Sequence, residues 1–302
     1  MSRLFVIGNG FDLEHDLPTS YKHHFKKIAE KNEQINYFWD IYQSREPDIW
    51  SDFEHSLANP DFNTLEEIFN GYTPDYTSDY EHDRDAIIIQ VDLNGLLLES
   101  LNKFAKEAEQ EVEYCQQLHK YSVLFNENDL FVNFNYTHTL EQIYHINKSK
   151  ILHIHGEIGR NNLLLGYPQG EYEPEKYYYD VRCKGRGPYI SEDIEEHINR
   201  MLENESMDYY TYTAFSLLIE KTKSFSKTPQ IEKLIPFLQD TYIDEIVVIG
   251  HSCSIDYTYF EYLNKKYPSA SWTFNPHDIN TKENIEKLIN MIKIKKYKIN
   301  IN

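Results

Sequence analysis

LFVIGNGFDLEHDLPTSY, residues 4–21, joins a short apolar run to a glycine-bracketed turn near the start of a 302-residue chain. Leu4, Phe5, Val6 and Ile7 are apolar on both faces, the pattern of a strand buried between two layers. Gly8-Asn9-Gly10 then turns the backbone sharply, and residues without a Cβ let it come close to a neighbour. In an α/β fold that neighbour is often a phosphate, held by free N–H groups where the next helix begins. The third glycine of the dinucleotide fingerprint is absent, so the same residues also read as a plain tight turn.

Four later stretches repeat this grammar. Asp129 to Phe134 ends in Asn135-Tyr136-Thr137-His138, and Lys150 to His155 ends in Gly156-Glu157. Glu245 to Ile249 ends in Gly250-His251-Ser252, and Ser271 to Phe274 ends in Asn275-Pro276-His277-Asp278. In an open parallel sheet such carboxyl ends line one crevice where ligands bind, so five of them predict a nucleotide-sized site. The second and third runs are separated by enough chain for one crossover helix and hence parallel pairing. Thr139 and Gln142 read as a capping box for that helix, which runs through Ile143.

The rest reads as insertions. Ser20 or Thr19 caps a helix from Tyr21 that carries His23, His24, Lys26 and Lys27. Residues 35–120 look mostly helical around a loop at 70–82. Within them Trp50, Phe53 and Leu57 form an inward face, with Glu54 beside it as the one residue able to reach a pocket. Residues 170–236, rich in Tyr and Glu, read as two or three helices with a basic loop at Lys184-Gly185-Arg186-Gly187. The expectation is a single α/β, Rossmann-like domain over residues 1–302, with a mostly parallel sheet and helical insertions at about 22–120 and 170–238.

Composition narrows the class. A hydrophobic fraction of 40%, with 25 Tyr and 16 Phe, belongs to a folded chain. The net charge of −19 repels nucleic-acid phosphates and anionic lipid, so neither is an expected partner. The basic end IKIKKYKIN reads as a solvated tail or helix end. No run is long enough to span a membrane, and the apolar start is broken by Gly8 and then by Asp12, Glu14 and Asp16, unlike a signal peptide. Cys115, Cys183 and Cys253 lie far apart, which excludes a cysteine-rich zinc module and fits a reducing cytoplasm. The 13 histidines form no H-E-x-x-H pattern, and no metal site is expected.

The opening IGNGFDLEHDLPTSY, WSDFE, FNYTHTLE, HIHGE and VIGHSCSIDYTYF together resemble the AbiH family of bacterial phage abortive-infection proteins, from Leu4 to Asp278. That family is in turn similar to the sirtuins and to sirtuin-like NAD-hydrolysing defence domains. The resemblance implies a sirtuin-like fold with NAD as substrate rather than as a cofactor. It places Gly8 and Gly10 in the phosphate loop and Asn135 beside the nicotinamide ribose; the backbone from Gly8 through Asn9 to Gly10 would take the pyrophosphate, and Asp12 reads as a pocket residue or a helix cap. His155-Gly156 becomes the catalytic pair, Gly250 and Ser252 the turn on the adenosine side, and Asn275 a contact to the adenosine ribose. Thr137 stands where the resembled motif has an aspartate, Tyr21 where sirtuins have an arginine, and the four-cysteine zinc module is missing.

Cleaving the nicotinamide–ribose bond needs a held ribose, an oriented water and a group that takes a proton near neutral pH. Histidine suits the last role, so His155 is the candidate base and Asn135 the group that positions ribose and water. His153, two residues earlier and on the same face if the strand continues, is the rival. Asp12 and Asp256 also read as helix caps. Three functions follow: NAD hydrolysis that arrests an infected cell by cofactor depletion, a nucleotide-binding sensor without chemistry, or an ADP-ribosyl transferase using the same site. A phage-encoded trigger and self-association into a homo-oligomer are expected partners.

Overall fold

The computed structural model describes residues 2–35, 41–42, 53–71, 84, 94–170, 172, 176–180, 189–276 and 278–300. The chain forms two compact units. One comprises Met1–Ile28, Leu98–Pro168 and Thr228–Asn302, the other Ala29–Leu97 and Gln169–Lys227. The second unit's segments are narrower at most of their ends than the two insertions read from the sequence.

The first unit is built on a six-stranded sheet: β1 (Arg3–Ile7), β2 (Leu130–Asn133), β3 (Ile151–His153), β4 (Glu245–Ile249), β5 (Ser271–Asn275) and β6 (Tyr297–Ile299). The spatial order is β6-β5-β4-β1-β2-β3 and every pairing is parallel. This is the doubly wound, Rossmann-like order, in which the chain leaves the central strand first to one side and later to the other. The switch point lies between β1 and β4.

Period-two alternation sorts the central strands into two cores. Leu4, Val6, Leu130, Val132, Ile246 and Val248 enter one layer with Phe260, Leu263, Ile285 and Leu288. Phe5, Ile7, Phe131, Val247 and Ile249 enter the other with Phe11, Leu140 and Ile143. Because both faces are covered, β1 and β4 read as unbroken apolar runs. Burying each such side chain contributes on the order of 2 kcal/mol before entropy is counted.

The helices that flank this sheet include α1 (Asn9–Leu13), α2 (Asn94–Val112), α3 (Thr139–Ile143), α4 (Tyr257–Lys266) and α5 (Ile279–Ile292). Ser20 accepts from the His23 amide at the expected cap. The Thr139–Gln142 capping box does not form. His138 occupies the N-cap position without a side-chain cap bond, because Thr139 turns its hydroxyl to Asp12 instead. The basic end is a strand, not a solvated tail: Tyr297–Ile299 pairs with Trp272–Phe274 as an edge, where lysines are well tolerated.

The second unit departs from an all-helical insertion. Lys176–Asp180 and Tyr189–Asp193 form an antiparallel hairpin, with Lys176 opposite Asp193. A tyrosine run suits a pleated surface better than a helix, which explains the difference. The helices Ile194–Glu203 and Tyr209–Ser224 follow, capped by Asp193 and Asp208. Glu54 is buried, and its carboxylate lies 3.0 Å from the Lys227 ammonium. Trp50, most of the 70–82 loop and Lys184–Gly187 lie outside the described residues. No helix among the described residues is long and apolar enough to cross a membrane.

Candidate functional site

The carboxyl ends of β1 and β4 touch at the switch point, and three glycines make that contact. A Cβ on Gly8 would sit 2.6 Å from the His251 Cα, and one on Gly10 would sit 2.8 Å from the Gly250 Cα. The Gly8 amide donates to the Ile249 carbonyl at 2.9 Å, and the Gly10 amide to the Gly250 carbonyl at 2.7 Å. Two N–H groups expected to face a phosphate are therefore bound to the neighbouring strand end. The glycines are needed here for backbone-on-backbone packing. Asn9 directs its side-chain amide to the Thr19 carbonyl at 2.8 Å, tying the turn to the LPTSY segment.

Asp12 follows on α1 and is 1% exposed. Its carboxylate accepts from the Thr137 hydroxyl at 2.5 Å and the Thr139 hydroxyl at 2.9 Å. It is no helix cap. Position 137, where the resembled motif has an aspartate, thus reaches a carboxylate supplied by another element. Burial raises the Asp12 carboxyl to about 6, opposed by the hydrogen bonds from Thr137, Thr139 and Asn135.

That value lies above the ordinary aspartate value of 3.8, so the folded protein binds the extra proton. The stability Asp12 contributes is fully present below about pH 4 and is lost as pH rises through about 6, by roughly 3 kcal/mol. Urea unfolding from pH 4 to 7 should reveal this decline, and Asp12→Asn should flatten it. An unchanged slope in the variant would assign the decline elsewhere.

Asn135, just past β2, is 6% exposed. Its side-chain amide donates to the Gly8 carbonyl at 3.2 Å, and its own amide is held by the Asn133 side chain at 3.0 Å. His155, just past β3, is equally buried, and its Nε2 lies 3.3 Å from an Asp256 carboxylate oxygen. The other Asp256 oxygen faces His251 Nε2 at 3.6 Å. His251 Nδ1 accepts from the Cys253 amide at 3.0 Å, so its proton sits on Nε2, toward Asp256. The Phe134 ring stands edge-on between the two imidazoles, its centroid 4.9 Å from His155 and 4.7 Å from His251. Among the described residues, none hydrogen-bonds His155 Nδ1.

Asp256 occupies the N-cap position of α4 without capping it, at a left-handed φ of 66°. It was read only as a cap from the sequence. The signal that was available is the cluster GHSCSID, in which His251 and Asp256 both follow one buried strand within a single loop. His153 does not share a face with His155: β3 stops at His153, whose Nε2 meets Glu141 at 3.0 Å and whose Nδ1 meets the Asn135 carbonyl at 3.1 Å. His138 lies nearby, raised to about 9 by its hydrogen bond to Glu109, against burial and with Glu157 adding to the rise.

Ser252 and Asn275 make other contacts. Ser252 is exposed and shares a hydroxyl contact with Ser254 at 2.9 Å. Asn275 ends β5 and accepts from the Asn300 side chain at 2.9 Å. A cleft of about 430 Å³ lined by Gln117, Tyr144 and Lys150 lies at the opposite end of β3 from His155.

A doubly wound parallel sheet with buried carboxamide, imidazole and carboxylate groups at its carboxyl ends defines a Rossmann-like α/β protein with a candidate polar site at the switch point. The chain belongs to the AbiH family, described as Bacteriophage abortive infection AbiH, which matches residues 4–276. It is accordingly a phage abortive infection protein. No curated protein and no solved structure matches the chain.

Proposed function

We propose that the protein hydrolyses the bond between nicotinamide and ribose in NAD or a related nucleotide, releasing nicotinamide and ADP-ribose and arresting the infected cell by cofactor depletion. The observation that carries this reading is the His155–Asp256 pair at 3.3 Å, beside Asn135 at the ends of β2 and β3. Asp256 holds a proton on His155 Nε2, which leaves the Nδ1 lone pair as the base for a ribose hydroxyl or a water. Asn135, tied to the Gly8 carbonyl, is placed to orient the ribose. Gly8, Asn9 and Gly10, with Asp12 beneath them, form the phosphate side of the site in this reading. Gly250, Ser252 and Asn275 form the adenosine side. With two glycine N–H groups already bound, the pyrophosphate falls to the Asn9 N–H.

Those spent N–H groups favour a second reading, a nucleotide-binding sensor without chemistry. An ADP-ribosyl transferase would use the same His155 and Asn135. The deciding experiment follows NAD loss and nicotinamide release by the purified protein, alone and with phage lysate, beside His155→Ala and Asn135→Ala variants of verified fold. Cleavage by the native chain that both variants lose supports hydrolysis. NAD bound but left intact under both conditions supports the sensor, and ADP-ribose appearing on protein supports the transferase.

An NAD-consuming enzyme must be silent before infection. The proposal therefore includes a cytoplasmic protein gated by a phage-encoded trigger or by self-association. A monomer that is constantly active yet harmless to its host would contradict the gating.

A further inference from the structure

We propose that His138, Glu141 and His153, with Glu157 as a fourth donor, hold a divalent transition-metal cation of the zinc class beside the carboxyl ends of β2 and β3. One donor atom from each of His138, Glu141 and His153 lies within 4.8 Å of the others. The far nitrogen of each imidazole is already held. His153 Nδ1 donates to the Asn135 carbonyl at 3.1 Å, and His138 Nδ1 donates to Glu109 at 2.8 Å. A carbonyl or carboxylate on the far nitrogen is the arrangement that fixes the tautomer of metal-binding histidines.

With a single proton on each ring, both Nε2 atoms carry the lone pair, yet each faces a carboxylate oxygen. His153 Nε2 lies 3.0 Å from Glu141 Oε1, and His138 Nε2 lies 2.9 Å from Glu157 Oε2. Acceptor facing acceptor repels unless a proton or a cation stands between them. A second proton on each ring would account for these two contacts. It would not account for Glu141 Oε2, which is buried and, among the described residues, receives no hydrogen bond. The Glu141 side chain is only 9% exposed, and an unmet carboxylate oxygen at that depth costs more than a neutral group would. A cation in the cluster would bind the Glu141 carboxylate and both lone pairs together. Two imidazoles with one or two carboxylates suit Zn²⁺ first, and Fe²⁺ or Mn²⁺ after it. The inference rests on this geometry and is independent of any nucleotide chemistry.

The test uses the full chain, stripped with chelator and titrated with ZnCl₂ by calorimetry. One equivalent should bind the native protein, and Co²⁺ substitution should give a visible ligand-field spectrum. Glu141→Gln and His153→Gln should each weaken binding by at least about 100-fold, and Glu109→Gln by about 10–100-fold, as for partners of a ligating histidine. His119→Gln, at an exposed histidine outside the cluster, should leave binding unchanged. X-ray absorption of the zinc-loaded native protein should count two imidazoles, a reading that survives even if a variant misfolds. No stoichiometric binding by the native chain overturns the proposal. So does undiminished affinity in both Glu141→Gln and His153→Gln.

Discussion

Gly250→Ala should destabilise the protein by more than about 4 kcal/mol, at the severe end for a single substitution. Two costs combine. Gly250 has a φ of +66°, where alanine is strained by about 1–2 kcal/mol. The added Cβ would also lie 2.2 Å from the Phe11 nitrogen and 2.7 Å from the Gly10 carbonyl carbon, both backbone atoms that no rotamer change can move aside. Relief requires β4 and α1 to separate, which breaks the Gly10 amide's bond to the Gly250 carbonyl. Gly95, on α2, has nothing within 4 Å of its Cβ position. Gly95→Ala should therefore be neutral or stabilising by up to about 1 kcal/mol. Urea melts of the two variants decide the matter: if Gly250→Ala unfolds within about 1 kcal/mol of the native chain, the close approach is not what holds the strand ends together.

The same contact explains what the sequence revealed and what it hid. Strands β1 and β4 were legible because burial on both faces writes itself as an uninterrupted apolar run. The glycines were legible as a close approach but not as to what they approach, since a phosphate and a second strand end ask the same thing of the backbone. Strand β6 was hidden because an edge carries lysines, and Tyr297-Lys298-Ile299 then looks like a tail. The Thr139 capping box looked sound locally and was overridden by a carboxylate on a distant element. His153 and His155 were given one face on the assumption that β3 continues, whereas the chain turns after His153. Asp256 was missed for a related reason. Aspartate before a helix is read as a cap, and only the folded chain shows its two oxygens turned to His155 and His251 instead.

If the protein hydrolyses NAD as proposed, Asp256→Asn should lower turnover by about 10²–10⁴-fold, the range of a lost general base, while leaving the fold intact. The backbone tolerates the change, because asparagine is among the residues best suited to the left-handed φ of 66° found there. The chemistry does not. Asp256 offers one oxygen to each of two imidazoles, His155 at 3.3 Å and His251 at 3.6 Å. Asparagine has one oxygen and one NH₂. His251 cannot change tautomer without losing the Cys253 amide on its Nδ1, so it claims the oxygen. The NH₂ then faces His155 Nε2 and draws the ring into the other tautomer, with its proton on Nδ1 and no lone pair left for the ribose. Adding Asp256→Asn to His155→Ala should cost nothing further, because both changes remove one function. Single-turnover NAD cleavage, with nucleotide binding measured alongside, separates the outcomes. Loss of turnover with binding kept marks Asp256 as the residue that positions His155, whereas full turnover in the variant would remove it from the site.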